Sequence, residues 1–172
     1  MSEIKSYENF PPWIPLIAIF VSIVSYILGA IILMGFGIIV AILYLVYCFG
    51  IEMLVIFRSC KHCYYYNRVC GLGKGKIVSL VTKKGSSKKF TEREVTFFDL
   101  IPDFLVGIFP IVGGIILSVL DFSLIRIGMI ILLVILSFGG TAFIRGSFAC
   151  KYCKQREIGC PAEQFFSKKK SS

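Results

Sequence analysis

Six cysteines are the residues of this chain best suited to chemistry. They form two triads of identical spacing, Cys-x2-Cys-x6-Cys: Cys60, Cys63 and Cys70, then Cys150, Cys153 and Cys160. Two cysteines three apart can chelate one cation, and a third several residues later can fold back as another ligand. Three thiolates leave a tetrahedral ion one ligand short, so the two triads are expected to close a site together by sharing sulfurs. Zinc is the expected metal, as two ions. An iron–sulfur cluster is the alternative, because thiolates bind both and spacing does not separate them. His62, between Cys60 and Cys63, is a candidate extra ligand. The seventh cysteine, Cys48, lies in an apolar run and is expected to pack as a small apolar side chain.

The triads must be held by something, and the sequence is 56% apolar with only 17% charged residues. Four stretches carry most of the apolar residues: Trp13 to Leu33, Ile38 to Phe57, Leu100 to Leu120 and Ile127 to Ile144. Each is long enough for a helix to cross a hydrocarbon core of about 30 Å. None shows the two-residue alternation of barrel strands. The first starts late, is long, and lacks a small-x-small cleavage site, so it reads as a retained helix.

A shift of 90 residues brings the four stretches roughly into register and lays each cysteine of the first triad on one of the second. Pro12 then meets Pro102, Leu43 meets Leu133 and Gly50 meets Gly140. The expected fold is all-α and integral to the membrane. Its four transmembrane helices form two tandemly repeated hairpins, related by a pseudo-two-fold axis along the membrane normal, with small cytoplasmic cysteine-cluster segments. The chain divides into a first repeat at 1–75, a basic flexible linker at 76–99, a second repeat at 100–166 and a disordered tail at 167–172. Small residues mark packing faces: Ala18, Ser22, Ser25 and Gly29 in the first helix, Gly107, Gly114 and Ser118 in the third.

The cysteine spacing resembles the six-cysteine, two-zinc clusters of fungal zinc-cluster transcription factors. In those, two Cys-x2-Cys-x6-Cys halves share two zinc ions through bridging thiolates. The resemblance covers Cys60 to Cys70 and Cys150 to Cys160 alone. A membrane hairpin separates the halves here, where that family has a short linker. What the resemblance implies is the stoichiometry, two ions on six sulfurs, and not a role with DNA.

Charge sets the orientation. Of 19 Lys and Arg residues, Lys5 precedes the first helix, ten lie between Arg58 and Arg93, and seven lie from Arg145 onward; Arg126 alone falls on the other side. The positive-inside rule then places both termini and the central loop in the cytoplasm of a multi-pass cell-membrane protein. In that reducing compartment stable disulfides are not expected. The net charge of +9 reads as a one-sided basic surface for anionic lipid headgroups, with Lys74, Lys76, Lys83, Lys84, Lys88 and Lys89 as the contacts. No nucleic-acid recognition module accompanies it. The run Gly71-Leu72-Gly73-Lys74-Gly75-Lys76 lacks phosphate-loop spacing and reads as a solvated linker. Tyr64, Tyr65 and Tyr66 read as an aromatic anchor at headgroup level.

Enzyme chemistry has little to work with. The chain has one His and no nucleotide fingerprint. Helix C-termini aimed at the cysteines would oppose the low-pKa thiolate that thiol–disulfide exchange needs. Glu52, inside the second apolar stretch, is the one candidate functional intramembrane carboxylate. The expected role is therefore a non-catalytic membrane scaffold or binding module, its hairpins clamped by the metal, with a membrane or cytoplasmic protein as partner. The alternative is a membrane-bound iron–sulfur electron carrier, and after that a small transporter or membrane enzyme using Glu52.

Overall fold

A computed structural model describes residues 6–91 and 96–161, apart from the side chains of Lys89 and Phe97. Lys5 and the tail at 167–172 lie outside the described residues. Among these residues the chain is helical, and its only bridge of strand type pairs Tyr7 with Cys153 in parallel.

Four helices are long and apolar enough to cross a membrane. Helix α1 runs Trp13–Leu33 and continues through a 3-10 turn, Met34–Phe36. Gly37 ends it with φ of +127°, a conformation that side-chain-bearing residues rarely adopt. Helix α2 runs Ile38–Arg58 and stops where the apolar run gives way to charge. Two short helices follow, α3 at Lys74–Val81 and α4 at Ser87–Thr91. Helix α5 runs Phe97–Leu120 and holds both Pro102 and Pro110. Its first turn is closed by Asp99, whose carboxylate accepts the Thr96 N–H at 3.2 Å. The last span is α6 (Leu124–Val134), a π-helical stretch Ile135–Gly140, α7 (Thr141–Phe143) and a second π stretch, Ile144–Ala149. Helix α8, Lys154–Gly159, completes the described chain.

The chain forms two compact units. One comprises Phe20–Glu52 and Leu100–Ala142, the greater part of the four long helices. Its core is Ala30, Leu33, Ala41, Tyr44 and Cys48, with Tyr26 and Val106 packed against it. Small residues admit large ones: a Cβ on Gly29 would lie 2.6 Å from the Tyr44 hydroxyl, and one on Gly114 would lie 2.9 Å from Ile32 Cγ2. Tyr44 Oη donates to the Val106 carbonyl at 2.9 Å, and Tyr47 Oη to that of Pro102 at 3.0 Å. Most apolar surface faces outward; only 11% of the last span is buried within the protein. Apolar side chains left facing out on every span are what a lipid solvent favours and water does not. Arg126, in the first turn of α6, donates to the carbonyls of Leu117 (2.8 Å) and Asp121 (2.6 Å) and so caps the end of α5.

The other unit comprises Met1–Ile19, Met53–Asp99 and Phe143–Ser172, and it contains both cysteine triads.

Candidate metal centre

The first triad begins where α2 ends. Ser59 closes that helix, and Cys60–His62 make a 3-10 turn. The Cys63 N–H bonds to the Cys60 carbonyl at 3.3 Å, and the Tyr66 N–H to that of Cys63 at 3.1 Å. In the second triad the Cys153 N–H bonds to the Cys150 carbonyl at 3.3 Å, and the Arg156 N–H to that of Cys153 at 3.0 Å. The same pair of backbone bonds thus recurs 90 residues on. Beyond Cys63 the chain turns through Asn67, whose φ of +60° Asn tolerates better than most residues. It then reaches Cys70 and the glycine run. The Cys70 sulfur accepts the Gly75 N–H at 3.3 Å. Cys160 follows α8 directly.

That glycine run was expected to be a solvated linker, and the structure packs it instead. A Cβ on Gly75 would collide with the carbonyl oxygens of Arg68 and Tyr65, the latter at 2.5 Å. Gly73 sits at φ of +77° against Ile19 and Pro15 of α1. The next residues, read as part of a linker, form α3 and α4.

The two triads dock on each other within this unit. The Tyr64 N–H donates to Gln155 Oε1 at 2.7 Å, and Gln155 Nε2 donates to the Gly159 carbonyl at 3.1 Å. Tyr65, only 2% exposed, accepts the Lys154 N–H on its hydroxyl at 3.0 Å and donates the hydroxyl proton to the Tyr7 carbonyl. Tyr65, expected among the headgroup anchors, is instead core, and the half-buried Tyr66 donates from Oη to the Thr82 carbonyl at 2.7 Å. The N-terminal segment bridges the triads. The Tyr7 N–H bonds to the Tyr152 carbonyl and the Phe10 N–H to that of Val69, each at 3.0 Å. Lys154 Nζ pairs with Glu8 at 3.0 Å. Phe10, Ile14 and Tyr65 form a buried cluster against which Cys63, Cys70 and Cys153 all pack.

Sequence reasoning passed over Tyr7, Phe10 and Gln155, and gave Tyr65 a different role. Two aromatics just before an apolar run were a signal for the first pair. The glutamine gave none.

Each of the seven cysteines is a thiol rather than half of a disulfide. Burial, and then the neighbouring sulfurs of Cys60, Cys70 and Cys160, push the Cys63 thiol up to about 11 against the pull of the Tyr65 N–H. Burial, with Cys63 and Cys150 nearby, pushes Cys153 up to about 12, opposed by the N–H groups of Gln155 and Arg156. Sulfurs of both triads thus contribute, after burial, to raising Cys63. No three His, Cys, Asp or Glu side chains among the described residues are arranged to hold a metal ion.

No known family, curated protein or solved structure matches the chain.

The other candidates lie apart from one another in role. His62 Nδ1 lies 3.0 Å from the Ser86 carbonyl, and the Gly85 N–H bonds to the Lys61 carbonyl at 2.9 Å. The imidazole thus helps tie the triad to the loop before α4. Lys76, Lys83, Lys84 and Lys88 are exposed and Lys74 is half-buried; the Lys89 side chain lies outside the described residues. Cys48 packs in the core of the membrane-spanning unit, as expected. Glu52, in that same unit, accepts a hydrogen bond from Tyr26 Oη at 2.6 Å.

Proposed function

We propose that this chain is a non-catalytic, multi-pass membrane module whose two cysteine triads take up zinc, two ions on six sulfurs, and so lock its two hairpins together on the cytoplasmic side. One observation carries the reading: triads 90 residues apart pack on one buried cluster, with the sulfurs of Cys60, Cys70, Cys160 and Cys153 all acting on or near Cys63. The donor chemistry suits a borderline-soft cation. Backbone N–H groups aimed at the sulfurs of Cys63, Cys70 and Cys153 are the outer-shell bonding that steadies metal ligands. Crowded buried thiolates repel one another, and a cation relieves that repulsion. Uptake requires the side chains to close in from their described positions. The recurring backbone bonds support the tandem-repeat reading of the cysteine segments. The exposed lysines at 76, 83, 84 and 88, with Lys74 and Lys89, meet anionic headgroups at about 1 kcal/mol each. A membrane or cytoplasmic protein is the partner such a scaffold would serve.

The test is a metal assay with an absorption spectrum on anaerobically purified protein. Zinc bound without visible colour, lost in Cys63→Ser and in Cys153→Ser but kept in Cys48→Ser, is the expected result. Visible absorption with bound iron would replace the scaffold by the electron carrier. Protein with no more metal than a variant lacking all six cysteines would sink both. Labelling from outside sealed cells at Lys84→Cys, in a background without other reactive cysteines, would overturn the orientation.

A further inference from the structure

Helix α3 carries an apolar ridge with no place in the unit's own core. Ile77 is 42% exposed, Val81 47% and Leu80 87%, the last being the most exposed large apolar side chain among the described residues. These three positions share one helical face. Val78, on a different face, is fully buried, and Ser79 Oγ donates to Asn67 Oδ1 at 3.2 Å. The helix is therefore held firmly on one side and bare on the other.

Its depth is fixed by its start. The Gly73 position that precedes α3 is packed on α1: a Cβ there would lie 2.5 Å from Ile19 Cδ1. Ile19 is six residues into a 21-residue span, about 9 Å along the axis at 1.5 Å per residue. Two further bonds, Asn67 N–H to the Gly75 carbonyl (2.9 Å) and Gly75 N–H to Cys70 Sγ (3.3 Å), prevent the helix from sliding away. With α1 across a bilayer, α3 begins at the boundary of acyl chains and headgroups. Exposed lysines flank it, Lys76 within the helix and Lys83 and Lys84 just past its end. An apolar face with basic residues beside it is the composition of a helix lying in the plane of an anionic leaflet.

We infer that α3 is an in-plane membrane anchor, with Ile77, Leu80 and Val81 inserted among the acyl chains of the leaflet next to the cysteine site. The inference rests on the reading that the basic face meets anionic lipid, and adds to it an apolar insertion independent of metal.

The test uses full-length protein in vesicles of phosphatidylcholine, with and without phosphatidylserine. Leu80→Trp reports depth, and the parent protein, whose one tryptophan is Trp13, supplies the baseline. Leu80 touches little, so the substitution leaves the fold intact. Expected are a blue-shifted added emission, its loss when the lipid is brominated midway along the acyl chain, and little quenching by acrylamide. Quenching by acrylamide without quenching by bromine overturns the inference. So does quenching by neither, which would mean that protein covers the ridge. Bromine quenching that persists unchanged without phosphatidylserine upholds the insertion and overturns the headgroup reading alone.

Discussion

The Tyr44 hydroxyl donates to the Val106 carbonyl at 2.9 Å, and Val106 is the residue whose carbonyl Pro110 leaves without a helical donor. Proline has no N–H to offer four residues back. In lipid no water replaces it, so a neighbouring helix must. Gly29 makes this possible, because any side chain there would meet the tyrosine ring.

Tyr44→Phe should therefore destabilise the protein by about 1–3 kcal/mol, the cost of an orphaned buried carbonyl. Unfolding in detergent measures it. The same substitution in a Pro110→Ala background should cost clearly less, since an alanine in place of the proline restores the N–H. Equal costs in both backgrounds would show that the tyrosine does not serve this carbonyl.

Gly75→Ala should be among the most damaging single-methyl additions. Its Cβ meets two backbone carbonyls, which cannot swing aside as side chains do, and overpacking of this kind costs about 1–3 kcal/mol. Gly50→Ala, in the interior of α2 with open space around it, should instead gain roughly 0.5–1 kcal/mol. Thermal melts of the two variants should move in opposite directions.

Tyr65→Phe leaves the Lys154 N–H and the Tyr7 carbonyl without their shared hydroxyl. Gln155→Leu strands the Tyr64 N–H. Each should cost about 1–3 kcal/mol. Because both bonds pin the same two segments, the double variant should cost less than the sum. Strict additivity would mean that the triads are not docked as a unit.

Metal-free protein should show unusual thiol kinetics. With Cys63 raised to about 11 and Cys153 to about 12 by burial, both stay protonated at neutral pH, and iodoacetamide attacks only the thiolate. Exposed Cys150 should be alkylated first, with the two buried thiols following as pH rises toward their own values. The folded state holds these protons past the ordinary thiol value of about 8.5. This stability contribution is therefore whole below that pH and declines as pH rises through about 11 to 12. Peptide mapping across a pH series, with a parallel melt, checks both. Equal early labelling of Cys63 and Cys150 would contradict the burial.

The four long helices were legible because lipid imposes a length and an apolarity that no other context does. The first span starts and ends where the apolar run does, at Trp13 and Leu33. The last outruns its apolar core at both ends, Leu124 to Ala149, because charge at a membrane edge does not by itself stop a helix. The cysteine spacing singled out two segments that the fold packs on one buried cluster. The partners of Tyr65 and Gln155 were not legible, since a hydroxyl or an amide fits many acceptors and only the folded chain chooses one. The glycines misled for a related reason. Gly71, Gly73 and Gly75 have the composition of slack chain, yet each is small because something stands against it.

The segment from Tyr7 to Phe10 joins one triad to the other, and this imposes an order on biosynthesis. Its first partner, Val69, leaves the ribosome early; Tyr152 and Lys154 come more than 80 residues later. At about 5–20 residues per second, roughly 5–20 s separate the two. During that interval the first triad exists without the second, on a half-inserted chain, with its thiols open to any metal donor or oxidant nearby. If the triads take up metal together as proposed, loading would wait for the second triad, which follows the last span in the chain, and so would mark a chain whose last span has been made.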